Sequence, residues 1–418
     1  MDVAVIGGGV VGVCSAYFLA AAGHQVTVYE RNGSVAEEAS FANAGLLGAG
    51  YAAPWLNPGL SSRVMRSMFS SSSPLLLARS FDAELWRWLR LWRAEGEVSR
   101  YRHNWQHMQR LAVYSHELLR GLRAHHQIDD EKAQGLLQLL RTEKDRQMIQ
   151  PLLELLVEHG VPHRVFNAEA TRQMEPALAP APKLHSSIYF PEDETANCAL
   201  MTKQLKAIAQ DLGVQFRFKS EVSSLAPGKN QVFMRVNDET LSAEAVVLAT
   251  GANSQPLLAD AGLSLPLYPV SGYSITATIK APEHAPLSAV LDEARKVAIT
   301  RIGNRVRVSG LAGVGPLKPA AKERALQQLL AVAEEWFPNA TNYHTASLWC
   351  GQRAMLPDGL PLLGESPMAR VYLNIAHGES GWTMAAGAGK IISDLIDGHT
   401  PEIDTAGLTA MRYASLRR

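Results

Sequence analysis

Val3-Ala4-Val5-Ile6-Gly7-Gly8-Gly9-Val10-Val11-Gly12 is the stretch that decides the fold. Its first four residues are apolar without a polar break, as expected of a strand buried on both faces. The glycines then fit G-x-G-x-x-G. In that pattern Gly7 permits a tight turn, Gly9 lets a pyrophosphate approach the backbone, and Gly12 lets a helix pack closely on the strand. Val13 to Ala22 reads as a helix that is apolar all round. The start of that helix offers free amides and a positive dipole end to phosphates. A second strand, Gln25 to Tyr29, ends in Glu30, near the ~20-residue offset at which an acidic side chain meets the adenosine ribose hydroxyls. A glycine turn that merely packs is the competing reading. Strand, turn, helix, strand and acid in this order favour a dinucleotide site.

Composition sets the outer bounds. A chain of 418 residues, 47% of them hydrophobic, can bury a large core and has room for two or three domains. Lys plus Arg and Asp plus Glu both number 40, so no global field points to nucleic acid. Cys14, Cys198 and Cys350 are isolated, without metal-type spacing or a disulfide framework, which suits a reducing cytoplasm. Met1-Asp2 lacks a basic leader, and no apolar run of about 18 residues free of charge suggests a spanning helix.

Farther along, Ser40-Phe41-Ala42-Asn43-Ala44-Gly45 is a segment of small residues suited to lie against something flat, and residues 51 to 80 read as loops with short helices. Arg79 to Gln127 is helical by pattern, with Leu85, Trp88, Leu89 and Trp92 on one face. A strand is expected near Leu136 to Leu140 and a helix near Lys144 to Glu158. A helix over Ala199 to Leu212 and strands over Val214 to Phe218 and Val232 to Val236 follow. The buried strand Ala245 to Ala249 runs into Thr250-Gly251, a glycine at the carboxyl edge where open α/β sheets bind ligands. Residues 267 to 311 alternate with period two and predict a partly exposed antiparallel sheet. Glu323 to Phe337 reads as a helix, Val371 to Ile375 as a strand, and Gly378 to Gly381 as a glycine turn before a helix over Trp382 to Ile396.

With these segments in view the chain resembles the D-amino-acid oxidase superfamily of FAD enzymes, and within it the D-amino-acid dehydrogenase small-subunit family. The resemblance runs nearly the whole length. It rests on Val5 to Gly12, Ser40 to Gly45, Gly50-Tyr51-Ala52-Ala53-Pro54-Trp55 and Pro269-Val270-Ser271-Gly272-Tyr273-Ser274. It continues in Ala298-Ile299-Thr300-Arg301, Leu356-Pro357-Asp358-Gly359-Leu360-Pro361, and His377-Gly378 through Gly381-Trp382-Thr383-Met384. The resemblance implies a Rossmann-like FAD-binding domain (1–60, 191–262 and 346–418) interrupted by an α+β substrate domain (61–190 and 263–345) with a mixed or antiparallel sheet. It implies non-covalent FAD, with Gly7, Gly9, Val10, Val11, Gly12, Glu30 and Arg31 on its ADP half. Val222 is then expected by the adenine and Gly251 by the pyrophosphate. Ser40, Asn43, Ala44 and Gly45, with Gly378, Gly381, Trp382 and Thr383, are expected to line the isoalloxazine. Amides at the start of the Trp382 helix could stabilise negative charge on a reduced flavin.

The same resemblance places Arg353 as the clamp on the amino-acid carboxylate, with Tyr273 and Tyr51 as further substrate contacts. Chemistry suits the choice, because a planar, permanently charged fork pairs both carboxylate oxygens and fixes the Cα hydrogen. The implied reaction oxidises a D-alanine-like amino acid to its imino acid, which water hydrolyses to a 2-oxo acid and ammonia, with electrons leaving to a quinone-type acceptor. Positioning does most of the work, so no Ser-His-Asp or paired-carboxylate constellation is expected. The rival readings are an oxidase or dehydrogenase of a secondary amine (glycine, sarcosine, proline or hydroxyproline) and a non-catalytic flavoprotein subunit.

Several positions depart from the family. Gly45-Leu46-Leu47-Gly48-Ala49-Gly50 lacks the polar residues and proline usual there, and Glu379-Ser380 replaces a Thr-Leu type pair. Arg295 stands where a Tyr is common, and Gln352-Arg353-Ala354 lacks the usual proline. His377 carries no assigned role, Cys350 is not expected to bond the flavin, and His103 and His107 are expected to be solvated helix histidines rather than metal ligands. Trp86, Trp88, Trp92 and Trp105 are half of the chain's 8 tryptophans and interleave with Arg87, Arg90, Arg93, Arg100 and Arg102. Such a segment can lie on an anionic membrane. Residues 85–105 are therefore a candidate for peripheral contact with the inner face of the cell membrane, against tryptophans that simply fill core.

Overall fold

The computed structural model describes residues 1–55, 58, 73–78 and 82–416. In it the opening strand, Asp2–Ile6, lies inside a six-stranded sheet. The order is Leu362–Glu365, Val371–Ile375, Ala245–Leu248, Asp2–Ile6, Gln25–Glu30, Gln215–Phe218. All pairings are parallel except that of Leu362–Glu365 with Val371–Ile375. The unbroken apolar run has a direct cause, since Val3 and Val5 enter one core and Ala4 and Ile6 another. The first core is built with helices Val10–Ala21, Cys198–Asp211 and Gly381–Ile396. The second is closed by a three-stranded antiparallel sheet, Val222–Pro227, Val232–Val236 and Glu239–Ala243.

A ten-stranded sheet forms the other layer. Its path is Ser347–Met355, Tyr268–Thr278, Arg305–Val314, Val297–Ile302, Ala289–Asp292, Ala133–Leu140, Ser186–Thr195, Leu46–Leu47. Leu75–Leu77 and Arg164–Asn167 pair onto it from the side. The alternating run supplies four of these strands, and they pair antiparallel with one another as the period predicts. One face carries helix Pro319–Trp336, whose Leu329, Val332 and Trp336 share a core with Ile299, Val306 and Val308. Leu46–Leu47 and Ser347–Met355 belong to this sheet, although both fall in segments expected to lie in the FAD-binding domain. They cross between the layers, and the site sits at that crossing.

The long helical segment is two helices, Ala83–Ala94 and Val98–His126, broken at residues 95–97. Asp82 caps the first, its Oδ1 accepting from the amides of Glu84 and Leu85 at 2.9 and 3.2 Å. The expected helix over 144–158 is likewise two, Glu143–Met148 and Gln150–Glu158, the second opening with proline in its first turn. The loop-and-short-helix reading of residues 51 to 80 falls largely outside the described residues.

The tryptophans decide the amphipathic question. Trp88, Trp92 and Trp105 are buried and only Trp86, at 54% exposure, faces outward. Trp88 stacks on Trp92 at 6.0 Å and donates from Nε1 to the Met355 carbonyl at 3.1 Å. The aromatic side is thus the core side, and the surface side is basic. Trp88→Ala is expected to cost ~3–5 kcal/mol of stability, read as a lower urea midpoint. No helix among the described residues is long and apolar enough to cross a membrane.

Candidate active site

Two adjoining cavities lie between the layers. The larger, 540 Å³, opens at the carboxyl ends of the parallel strands, and the smaller, 180 Å³, is walled by the ten-stranded sheet. Asn43, Arg353, Glu379 and Trp382 line both, so the cavities meet there.

The larger cavity is lined by Gly7, Gly9, Val10, Val11, Glu30, Arg31, Ser40, Val222, Gly251, Gly378 and Gly381, among others. Gly7 has φ +113°, a conformation side chains rarely tolerate. Gly12 does not line the cavity but sits behind it, where a Cβ would fall 1.9 Å from the Gly7 carbonyl oxygen. Its role is close packing of helix on turn, as the motif predicts. Gly9 at the N-cap supplies no side-chain cap to Val10–Ala21, whose first turn faces the cavity, while the Val10 amide donates to Ser40 Oγ at 3.1 Å. The Glu30 carboxylate accepts from the Gly8 amide at 2.6 Å and from the Asn32 amide at 2.8 Å, which fixes it at the cavity wall. Arg31 is paired with Glu38.

The Asn43–Gly45 turn is held from the second sheet, which sequence reasoning missed. Arg307 Nη1 donates to the Asn43 carbonyl at 3.1 Å, Thr300 Oγ1 to that of Ala44 at 2.9 Å, and Ser274 Oγ to that of Ala42 at 2.8 Å. Burial pushes the Arg307 guanidinium down to about 10, with nearby Arg305 adding to the effect. Asn43 lines both cavities and Ala44 and Gly45 the smaller.

Tyr51, Tyr273, Thr383 and Arg353 meet in the smaller cavity. Arg353 stands opposite Val270 in the antiparallel pair that carries Tyr273. Gly272 leaves room for the guanidinium, since a Cβ there would lie 2.5 Å from Arg353 Nη2. Arg353 donates to the Leu311 carbonyl at 3.2 Å and to Glu379 Oε1 at 2.6 Å. Burial pushes the Tyr273 phenol up to about 12, and its hydroxyl is buried without a partner. Tyr51 is also pushed up by burial. Both phenols are neutral donors near pH 7.

Other polar residues of the smaller cavity were not singled out in the sequence. Asp193 accepts from the amides of Gly50 and Tyr51, both at 2.8 Å, and burial pushes it up to about 7. Glu293 pairs with Lys296 and accepts from Gln138 Nε2 at 2.8 Å. Asp193 and Glu293 line the cavity, whereas Arg295, which stands where the family commonly has a Tyr, does not. Cys350 is exposed and lines neither cavity. His103 is exposed as expected but His107 is buried, packed against Gly407; their rings touch, Nε2 to Nε2 at 3.1 Å, and among the described residues no three His, Cys, Asp or Glu side chains are grouped to hold a metal.

His377 lines the larger cavity, fully buried, and burial pushes it down to about 3. The folded state keeps it neutral while the unfolded chain protonates it below about 6.5, so stability is lost as pH falls through that window. His377→Gln is expected to remove part of the fall in Tm between pH 6.5 and 4.

The family model described as FAD dependent oxidoreductase (DAO) matches residues 2–395, and the chain belongs to this family. The D-amino acid dehydrogenase of Agrobacterium fabrum is 38% identical over 99% of this chain and 100% of its own length. That of Cereibacter sphaeroides is 41% identical over 99% of this chain and 96% of its own. Among solved structures, glycine oxidase from Geobacillus kaustophilus superposes with a TM-score of 0.75 at 24% identity, covering 98% of this chain and 97% of that one. L-Proline dehydrogenase from P. horikoshii gives 0.73 at 18%, covering 99% and 98%. At these identities the likeness speaks for the fold.

Proposed function

We propose that the protein is an FAD-dependent D-amino-acid dehydrogenase acting on D-alanine-like substrates and passing electrons to a quinone-type acceptor. The observation that carries the reading is Arg353 at the junction of the two cavities, in a chain 38 to 41% identical over nearly its full length to D-amino acid dehydrogenases.

The residues fit FAD. The start of helix Val10–Ala21, where Gly9 brings no side chain and the first turn faces the larger cavity, suits a pyrophosphate, and Glu30 stands at the wall where a ribose belongs. His377 Nε2 and Trp382 Nε1 are buried polar atoms without a partner in residues that line the larger cavity. Gly7, Gly9, Val10, Val11, Glu30, Arg31, Val222 and Gly251 would hold the ADP half. Ser40, Asn43, Ala44, Gly45, Gly378, Gly381, Trp382 and Thr383 would hold the ring. When bound, FAD supplies the acceptor for the hydride that leaves Cα.

The protein's own part is positioning. Arg353 pairs the substrate carboxylate through its fork. Tyr273, neutral and unpartnered, donates a hydroxyl to the same group, and Tyr51 closes the far wall. An amino acid that enters as its zwitterion must lose the ammonium proton before hydride leaves, and no side-chain base need touch Cα. Water then hydrolyses the imino acid.

An anaerobic titration of the purified holoenzyme tests the assignment. D-Alanine is expected to bleach the flavin absorbance and L-alanine to leave it unchanged. Bleaching only by sarcosine or D-proline would move the substrate to the secondary amines, and no bleaching by any of these would remove the assignment. Peripheral membrane contact, if residues 85–105 make it, rests on the exposed basic side (Arg87, Arg90 and Arg93). Sedimentation with anionic vesicles is then expected at low salt, and its loss on replacing the three arginines by glutamate.

A further inference from the structure

We propose that Glu379 receives the α-ammonium group of the substrate while Arg353 receives its carboxylate. The assignment rests on the carboxylate-clamp reading of Arg353. The two side chains form an ion pair at 2.6 Å where the cavities meet, and Arg353 is the one hydrogen-bonding partner of Glu379 among the described residues. An amino acid carries the same two charges on neighbouring groups. The pair is therefore the zwitterion in complement, closed on itself.

Charge accounting around the cavities leads to the same residue. Lys296 is engaged by Glu293, Glu194 by Arg123, Arg31 by Glu38, and Asp193 is held by the amides of Gly50 and Tyr51. When a substrate carboxylate takes the Arg353 guanidinium, Glu379 has no other lining cation to turn to among the described residues. It would then face the incoming carboxylate as a like charge. A ligand that brings an ammonium beside its carboxylate cancels that repulsion and replaces the lost partner. A carboxylate without an amine does neither. Glu379 thus favours amino acids over hydroxy and fatty acids of the same shape. It lies in the Gly378–Ser380 turn directly before helix Gly381–Ile396, and its carboxylate is about one-third exposed, so it can swing from the guanidinium to an adjacent amine.

The test uses oxidised holoenzyme and two ligands that cannot be turned over. 2-Aminoisobutyrate lacks a Cα hydrogen, and pivalate carries a methyl in place of its ammonium. Binding is read by calorimetry and by perturbation of the flavin absorbance. In Glu379→Gln, 2-aminoisobutyrate is expected to bind about tenfold more weakly, and pivalate more tightly, because Arg353 is released from its pair. Glu379→Asp is expected to keep the preference for the amino acid. If Glu379→Gln shifts both ligands in the same direction, or shifts neither, Glu379 merely competes for Arg353 and the assignment is overturned. If Arg353→Ala abolishes both ligands while Glu379→Gln treats them alike, the clamp stands and only Glu379 falls. If wild-type protein binds neither ligand, the clamp falls and this assignment with it.

Discussion

Arg353→Ala is expected to weaken binding of D-alanine and of pivalate by about a hundredfold or more, with the flavin content of the protein unchanged. A hydrogen-bonded charge partner of a bound carboxylate is worth ~2–5 kcal/mol when truncated. Arg353 is oriented by the Leu311 carbonyl and by the space Gly272 leaves, so its fork is fixed before ligand arrives. Its side chain is 21% exposed, which places the effect in the lower part of that range. Arg353→Lys keeps the charge and loses the two-pronged geometry, and an intermediate loss is expected. Titration of each variant with pivalate, followed through the flavin spectrum, separates the three proteins. Equal binding by wild type and Arg353→Ala would remove Arg353 from the site.

Gly12→Ala is expected to yield a colourless protein or none that folds. The added Cβ would lie 1.9 Å from the Gly7 carbonyl oxygen and 3.0 Å from its carbon. Both atoms are backbone of the turn that faces the larger cavity, so relief requires the helix to move off the strand. Overpacking of a side-chain core typically costs ~1–3 kcal/mol, and rigid backbone raises the figure. Gly121→Ala is the control, since Gly121 lies in helix Val98–His126 with nothing within 4 Å of its Cβ. There a gain of ~0.5–1 kcal/mol is expected from helix propensity. Flavin absorbance per mole of purified protein and Tm distinguish the two glycines.

Local chemistry explains how much of this could be read from the chain. Val3 to Gly12 has a period, a turn and a spacing that admit few structures, and the helix and strand it predicts are present. The period-two run from 267 to 311 likewise admits an antiparallel sheet, but the partial exposure expected of it is not found, because apolar cores lie against both faces and most of its residues are buried. Long-range packing escaped that logic. In the helical pattern from Arg79 to Gln127 the break at 95–97 is marked locally by a lone glycine, Gly96, which by itself is too weak to end a helix, and the tryptophans suit a membrane face and a core face equally well as a sequence. Burial of Trp88, Trp92 and Trp105 follows from which surface happens to oppose them.

The site divides along the same line. Arg353 is singled out through the family resemblance, whereas glycine spacing and the acid at Glu30 are legible because each is a local pattern tied to a local chemistry. The support of the Asn43–Gly45 turn by Arg307, Thr300 and Ser274 is not, because those residues lie more than two hundred positions away. The same holds for Asp193 beneath Gly50 and Tyr51, and for Glu293 with Lys296 in place of Arg295. Glu379 was visible as a departure beside the glycine turn, yet its partner was not.

By itself, then, the sequence determined a nucleotide-type α/β layer, an antiparallel layer and a cofactor class, since hydrophobic period and turn chemistry act over a few residues. The tertiary structure alone decided that Arg353 and Glu379 form one ion pair at the meeting point of two cavities. Two side chains 26 positions apart meet only after a strand of one layer and a turn of the other have been packed together. The meeting of these two charges is set by that packing, not by either segment.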